Sequence, residues 1–179
     1  MRIISGQFRA KKLFPPTHDI RPTTDKVKQA LFTRLQFFIE NATVLDLFSG
    51  SGAVGIEAIS RGAKKVVFCD SNEKSIMLTK KNINALKLER SKTEIEINKL
   101  DYLQYLTQTK EKFDLIILDP PYNSDYYIPA LQIIKERNLL NEDGVIVCER
   151  LKAKKIEQNF FVLSATKTYG TIALDYLEL

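Results

Sequence analysis

At 179 residues, 44% of them apolar, the chain can bury one sizeable core and is short for two ordinary domains. Two cysteines, Cys69 and Cys148, and one histidine, His18, supply neither a disulfide framework nor a metal-ligand cluster, so no metal is expected. The formal charge of +5 lies wholly in residues 1–28, where Arg2, Arg9, Lys11, Lys12, Arg21, Lys26 and Lys28 face Asp19 and Asp25, and the remainder holds twenty of each sign. A basic segment is most often plain solvated surface. Here Phe8 and Phe14 interleave with the charges, which suits an extension that lies along a polyanion. No apolar run approaches the roughly 20 residues of a membrane span, and the N-terminus opens with charge rather than a signal core, so a cytoplasmic protein is expected.

In chain order, Arg2–Phe14 reads as a hairpin around Gly6, broken by Pro15-Pro16. Thr24 or Asp25 then caps a helix predicted to run to about Glu40, with Val27, Ala30, Leu31, Leu35 and Phe38 on one face. From there strands and helices alternate: strand 43–48, helix 53–61 stopped by Gly62, strand 65–70, helix 73–87, strand 94–99, a polar loop from Tyr105 to Lys112, strand 113–118, helix 125–137 and strand 144–149. Such alternation predicts a parallel, doubly wound α/β sheet. Residues 160–168 and 171–178 flank Tyr169-Gly170 and predict a terminal antiparallel hairpin.

The chemistry collects at the ends of the predicted strands, where open α/β sheets bind ligands. Thr43-Val-Leu-Asp46 runs into a loop with glycines at 50, 52 and 55, a turn that lets a nucleotide approach backbone N–H groups. Asp70 ends the next strand and can accept from two ribose hydroxyls. Asp101 follows the third and can accept from an adenine amino group. Each carboxylate alone reads as a solvated turn residue; three on successive strand ends read as a site. A dinucleotide would bring its pyrophosphate against Asp46, an unfavourable pairing of like charges. A ligand carrying a sulfonium and an ammonium, S-adenosylmethionine, reverses the sign. Asp119-Pro-Pro-Tyr122 ends the strand 113–118, and its prolines cannot continue a ladder, so the tetrad presents a carboxylate, a free carbonyl and a ring. That set can clamp a planar base by its amino group, although a Pro-Pro turn before a helix would look the same.

Asp46-Leu-Phe-Ser-Gly-Ser-Gly-Ala-Val-Gly-Ile-Glu-Ala58, the acidic second strand end and Asp119-Pro-Pro-Tyr122 resemble class I S-adenosylmethionine-dependent methyltransferases that act on exocyclic amino groups. The openings Arg2-Ile-Ile-Ser-Gly-Gln-Phe-Arg-Ala-Lys-Lys-Leu13 and Arg21-Pro-Thr-Thr-Asp-Lys-Val-Lys-Gln-Ala-Leu-Phe32, and the ending Tyr169-Gly-Thr-Ile-Ala-Leu-Asp-Tyr176, narrow the likeness to the RsmD family of bacterial 16S ribosomal RNA guanine-N2 methyltransferases. The likeness spans nearly the whole chain. It implies a Rossmann-like seven-stranded sheet, mostly parallel with a C-terminal antiparallel hairpin, over residues 24–179, and a basic N-terminal β-hairpin extension over residues 1–23. It implies S-adenosylmethionine as methyl donor and S-adenosylhomocysteine as product, with Asp46, Phe48, Gly50, Gly52, Gly55, Asp70, Ser71, Asp101 and Tyr102 around the cofactor. Arg21 and Thr23 would close over the methionine end. Asp119, Pro120, Pro121 and Tyr122 would be the catalytic set, and Arg2, Arg9, Lys11, Lys12 and Lys26 would contact RNA. The implied partner is 16S ribosomal RNA within an assembled or partly assembled 30S subunit, met by a monomer with no membrane association.

The residues themselves leave alternatives open. One carboxylate can accept from both N1–H and N2–H of guanine, whereas adenine offers an acceptor beside its amino group, so guanine is favoured. Adenine-N6 methyltransferases of DNA or RNA can carry the same tetrad. An NAD-dependent oxidoreductase would use Asp70 on a ribose, and a non-catalytic ribosome-binding factor would keep the basic segment without turnover.

Overall fold

A computed structural model describes residues 1–16, 25–88, 92–122 and 124–179. The element order is α1 (Asp25–Arg34), β1 (Thr43–Asp46), α2 (Ala53–Ser60), β2 (Lys65–Asp70), α3 (Glu73–Leu86), β3 (Glu94–Lys99), α4 (Tyr102–Gln108), β4 (Phe113–Leu118), α5 (Tyr127–Glu136), β5 (Leu140–Leu151), β6 (Val162–Tyr169) and β7 (Ile172–Glu178). The strands form one seven-stranded sheet in the order β3-β2-β1-β4-β5-β7-β6. Strands β1 to β5 are parallel, and β7 enters antiparallel to β5 and to β6. Sheet order reverses beside β1, which opens a crevice at the carboxyl ends of β1 and β4.

The central strands β1, β2, β4 and β5 carry largely continuous apolar runs because both faces of the sheet are covered there, whereas the edge strands β3 and β6 are partly or mostly exposed. Val44, Val66, Phe68, Leu115, Ile117, Val145 and Val147 share one core with α1, α2, α3 and the N-terminal loop. Their neighbours Leu45, Val67, Cys69, Ile116, Leu118, Ile146 and Cys148 share the other with α4 and α5. Each fully buried large side chain contributes about 1.5–3 kcal/mol. Both cysteines are free and buried, as their sequence context predicts, and burial pushes the Cys69 thiol up to about 12 and raises that of Cys148, which disfavours the thiolate at neutral pH.

Four elements differ from expectation. Helix α1 ends at Arg34 instead of Glu40: the Phe38 N–H bonds to the Leu35 carbonyl in a turn, Asn41 takes a φ of 63°, and Leu35 and Ile39 stay buried while Phe37 is left 92% exposed. Helix α4 replaces part of the expected loop: Asp101 caps it, and Tyr102, Tyr105 and Leu106 pack inward at helical spacing. Strand β5 begins four residues early, as Leu140 pairs with Phe113 before an irregularity in the ladder.

Residues 1–16 double back as expected, with the Ile3 N–H bonded to the Lys11 carbonyl and the Leu13 N–H to the Met1 carbonyl, but they form a loop and not an extended pair of strands. Arg2 and Lys12 make a single antiparallel bridge, and Ile3, Phe8 and Leu13 are buried in the core. The loop docks on α2: the Ile4 and Ser5 N–H groups donate to the Glu57 carboxylate, and Phe8 N–H donates to Ser60 Oγ. Lys28 of α1 reaches the same carboxylate at 3.5 Å and is wholly buried, so one of the seven cations counted in the basic segment is neutralised inside the protein.

Candidate active site

Asp46 ends β1 and is 2% exposed. Its Oδ2 accepts from the Gly55 N–H at 2.9 Å, which ties the strand end to the first turn of α2. Burial pushes its carboxyl up to about 7; the Gly55 hydrogen bond opposes that rise and the nearby Asp70 charge adds to it. Asp70 ends β2 and holds two loops together, accepting from Gly50 N–H at 2.9 Å and Asn72 N–H at 2.8 Å. Asp101 follows β3 and accepts from Leu103 N–H at 2.9 Å, leaving its second oxygen to the exposed side.

The Asp119–Tyr122 tetrad leaves β4 beside them. The Pro121 carbonyl is taken by the N–H and hydroxyl of Ser124, whereas the Pro120 carbonyl accepts no hydrogen bond from the described residues. Tyr122 is anchored, its hydroxyl donating to Glu149 Oε1 at 3.2 Å, while Tyr127 donates to the Glu149 main-chain carbonyl. Burial raises the Tyr127 phenol, so it remains a donor at neutral pH.

Asp46, Phe48, Gly50, Asp70, Ser71, Asp101, Tyr102 and all four tetrad residues line one cleft of about 790 Å³. That volume suits a nucleoside-sized ligand with a base beside it. One wall is aromatic: the Phe48 and Tyr126 rings stack with centroids 6.1 Å apart, and Tyr102 lies 5.4 Å from Phe48 and 4.8 Å from Tyr126. Ser49 also lines the cleft, and its buried Oγ has no hydrogen-bond partner among the described residues, an unmet need that a polar ligand would satisfy.

Two of the expected cofactor residues, Gly52 and Gly55, do not line this cleft. Gly52 takes a φ of 75° at the start of α2, and a Cβ there would lie 2.9 Å from Thr79 Cγ2. At Gly55 a Cβ would lie 2.3 Å from the Phe68 ring, so these glycines let α2 approach α3 and β2. Arg21 and Thr23 lie outside the described residues, as does His18. Arg2, Arg9, Lys11, Lys12 and Lys26 are exposed. The loop that carries the first four borders the cleft, since Ser51 Oγ donates to the Met1 sulfur at 3.8 Å. Sequence reading missed Ser49, Tyr126 and Glu149. Ser49 sits inside the glycine loop and was accessible to it; the other two carry no local signal.

The family described as conserved hypothetical protein 95 matches residues 1–178. The small subunit ribosomal RNA methyltransferase D of Haemophilus influenzae is 36% identical over 176 residues, 97% of this chain and 91% of that protein. Its Escherichia coli namesake is 31% identical over 150 residues, 83% of this chain and 74% of that protein. Among solved structures, a hypothetical protein of Thermus thermophilus superposes with a TM-score of 0.84 at 27% identity, covering 100% of this chain and 99% of that one.

Proposed function

Because this chain belongs to the RsmD family, matched along residues 1–178, we propose that it transfers a methyl group from S-adenosylmethionine to the exocyclic N2 amino group of a guanine in 16S ribosomal RNA. The observation that carries the reading is the meeting of Asp46, Asp70 and Asp101 with the Asp119–Tyr122 tetrad in one cleft. A cofactor side and an acceptor side therefore adjoin. The donor set fits the cofactor's chemistry: carboxylates for a cation and for hydroxyl and amino donors, an aromatic wall for a purine, and an orphan Ser49 hydroxyl.

S-adenosylmethionine supplies a methyl group already activated on sulfur. The protein's share is alignment, for which effective molarities reach roughly 10⁵–10⁸ M. Asp119 and the Pro120 carbonyl accept from the amino hydrogens of the base. This draws the nitrogen lone pair out of conjugation and toward the donor side of the cleft. Tyr122 stacks on the base, a contact worth about 1–3 kcal/mol, which helps offset a few kcal/mol for extracting the base from its neighbours. The proton leaves after transfer, so no strongly basic group is required at the acceptor.

Arg2, Arg9, Lys11, Lys12 and Lys26 would meet the phosphate backbone, and Arg21 and Thr23 would close over the methionine end. The substrate is an assembled or partly assembled small subunit, met by a monomer in the cytoplasm. In keeping with this, no helix among the described residues is long and apolar enough to cross a membrane. The test is labelled-methyl transfer to unmodified small subunits and to naked 16S RNA, with the product nucleoside identified by mass spectrometry. N2-methylguanosine is expected. N6-methyladenosine would overturn the choice of base, and no label on either substrate would overturn the activity.

A further inference from the structure

A second groove lies between α1 and the β6-β7 hairpin, outside the cleft. It measures about 510 Å³ and is walled by Lys26, Gln29 and Arg34 from α1 and by Lys167 and Tyr169 from β6. All three cations are exposed, none pairs with a carboxylate among the described residues, and no acidic side chain is among the described residues that line the groove. Its floor is Tyr176, only 1% exposed, whose hydroxyl has no hydrogen-bond partner among the described residues. The Arg34 guanidinium lies over that ring at 4.8 Å, which holds the charge in place.

The topology aims this groove at the chemistry. Strand β6 is antiparallel to β7, which is antiparallel to β5, so β6 ends at the same edge of the sheet as the parallel strands. Tyr169 and Leu151 both pair with Ile172, and Leu151 lines the catalytic cleft. At the other wall, Lys26 follows Asp25, which pairs with Arg2 of the basic N-terminal loop at 3.4 Å. The groove therefore connects the cleft edge with that loop.

We infer that the groove between α1 and the β6-β7 hairpin binds the sugar-phosphate backbone of a single-stranded RNA segment flanking the acceptor base, with Lys26, Arg34 and Lys167 on phosphates and Tyr169 offering its ring to a base. The inference rests on the ribosomal RNA reading of the cleft. Three cations without acidic neighbours beside an aromatic ring form the charge and stacking pattern of a single-strand channel. Extraction of a base from its stack leaves the flanking backbone distorted, and a fixed site next to the cleft would hold it there.

The test is fluorescence anisotropy of a labelled oligouridylate against the intact protein over a range of salt. Removing one cation from a phosphate should flatten the log–log salt dependence by about 0.7. Arg34→Gln with Lys167→Gln is thus expected to remove about 1.4 of the slope and to weaken binding at low salt about tenfold or more. A control pair far from the groove, Lys64→Gln with Lys110→Gln, should leave the slope as in the wild type. An unchanged slope in the groove variant, an equal loss in the control, or no oligouridylate binding by the wild type would each overturn the groove. Methyl transfer is scored separately on the wild type. A groove effect without N2-methylguanosine would remove the proposed activity while leaving the RNA site, and methylation without a groove effect would do the reverse.

Discussion

Tyr122 and Glu149 are joined across two strands: the phenol donates to Oε1 at 3.2 Å, and Glu149 is 5% exposed beneath it. Leu118 pairs with Cys148, so the parallel register of β4 and β5 brings the tetrad alongside Glu149. The ring proposed to meet the acceptor base is thus tied to the neighbouring strand as well as to its own loop. Tyr122→Phe keeps the ring and loses the tether, and kcat should fall by about tenfold, the equivalent of one hydrogen bond, with cofactor affinity unchanged. Glu149→Gln retains an acceptor and should restore most of the rate lost in Glu149→Ala. Equal losses in the Gln and Ala variants would show that the hydrogen bond does not position the ring.

Asp119 carries the acceptor chemistry on this reading. Replacing it with Ala removes a charged acceptor facing two N–H donors, and turnover should fall by about a hundredfold or more. Binding of S-adenosylhomocysteine, measured by calorimetry, should stay within a few fold of wild type. Normal turnover in Asp119→Ala would remove the tetrad from the mechanism.

Strands 65–70, 94–99 and 113–118 were legible to the residue because apolar or alternating runs end there at Asp, Leu-Asp and Asp-Pro-Pro. Helix α4 was not, since seven residues span only two turns and its cap, Asp101, was already assigned to a ligand. The glycine loop could be read as a loop, but a glycine that meets a ligand and one that meets Phe68 look alike in a sequence. Lys28 counted as surface charge because counting cannot see burial. Glu149 lies 27 residues from Tyr122, and only strand pairing brings them together.

On the proposed reading, Asp46 should make cofactor binding sensitive to pH. Its carboxyl rises from the ordinary 3.8 to about 7 on burial, so folding takes up a proton between those values. The stability this group contributes is full below the lower value and is lost as pH rises through the upper one. A cationic ligand prefers the carboxylate and must expel that proton. Affinity for S-adenosylmethionine should therefore climb from about pH 5.5 and level off above about 7.5, with proton release at the acid end. Asp46→Asn should flatten the profile and lower the plateau. Calorimetric titrations in buffers of differing ionisation heat check both, and a wild-type profile without slope would detach Asp46 from the cation.

Glu57 joins three parts of the chain, accepting from Ile4 and Ser5 N–H and from Arg61 Nε at 2.9 Å and lying 3.5 Å from Lys28 Nζ. Glu57→Ala would strand a buried ammonium and two main-chain donors, at a cost of about 3–5 kcal/mol in urea denaturation. Lys28→Met leaves Glu57 with its other partners and should cost less. If the Ala variant loses no more than the Met variant, the carboxylate is not what fastens the N-terminal loop to α2.

That loop presents Arg9, Lys11 and Lys12 to solvent, with Lys11 5.2 Å above the Phe8 ring. Because the loop is fastened through its backbone and through Ile3, Phe8 and Leu13, these cations can be removed without unseating it. The triple Gln variant should keep its melting temperature and its affinity for S-adenosylmethionine. Its binding to small subunits should weaken, and the salt slope should flatten by about 2 to 3, since each phosphate neutralised contributes about 0.7 on single strands and 0.9 on duplex. An unaltered slope, with the protein folded and the cofactor bound, would mean that RNA approaches the cleft from another side.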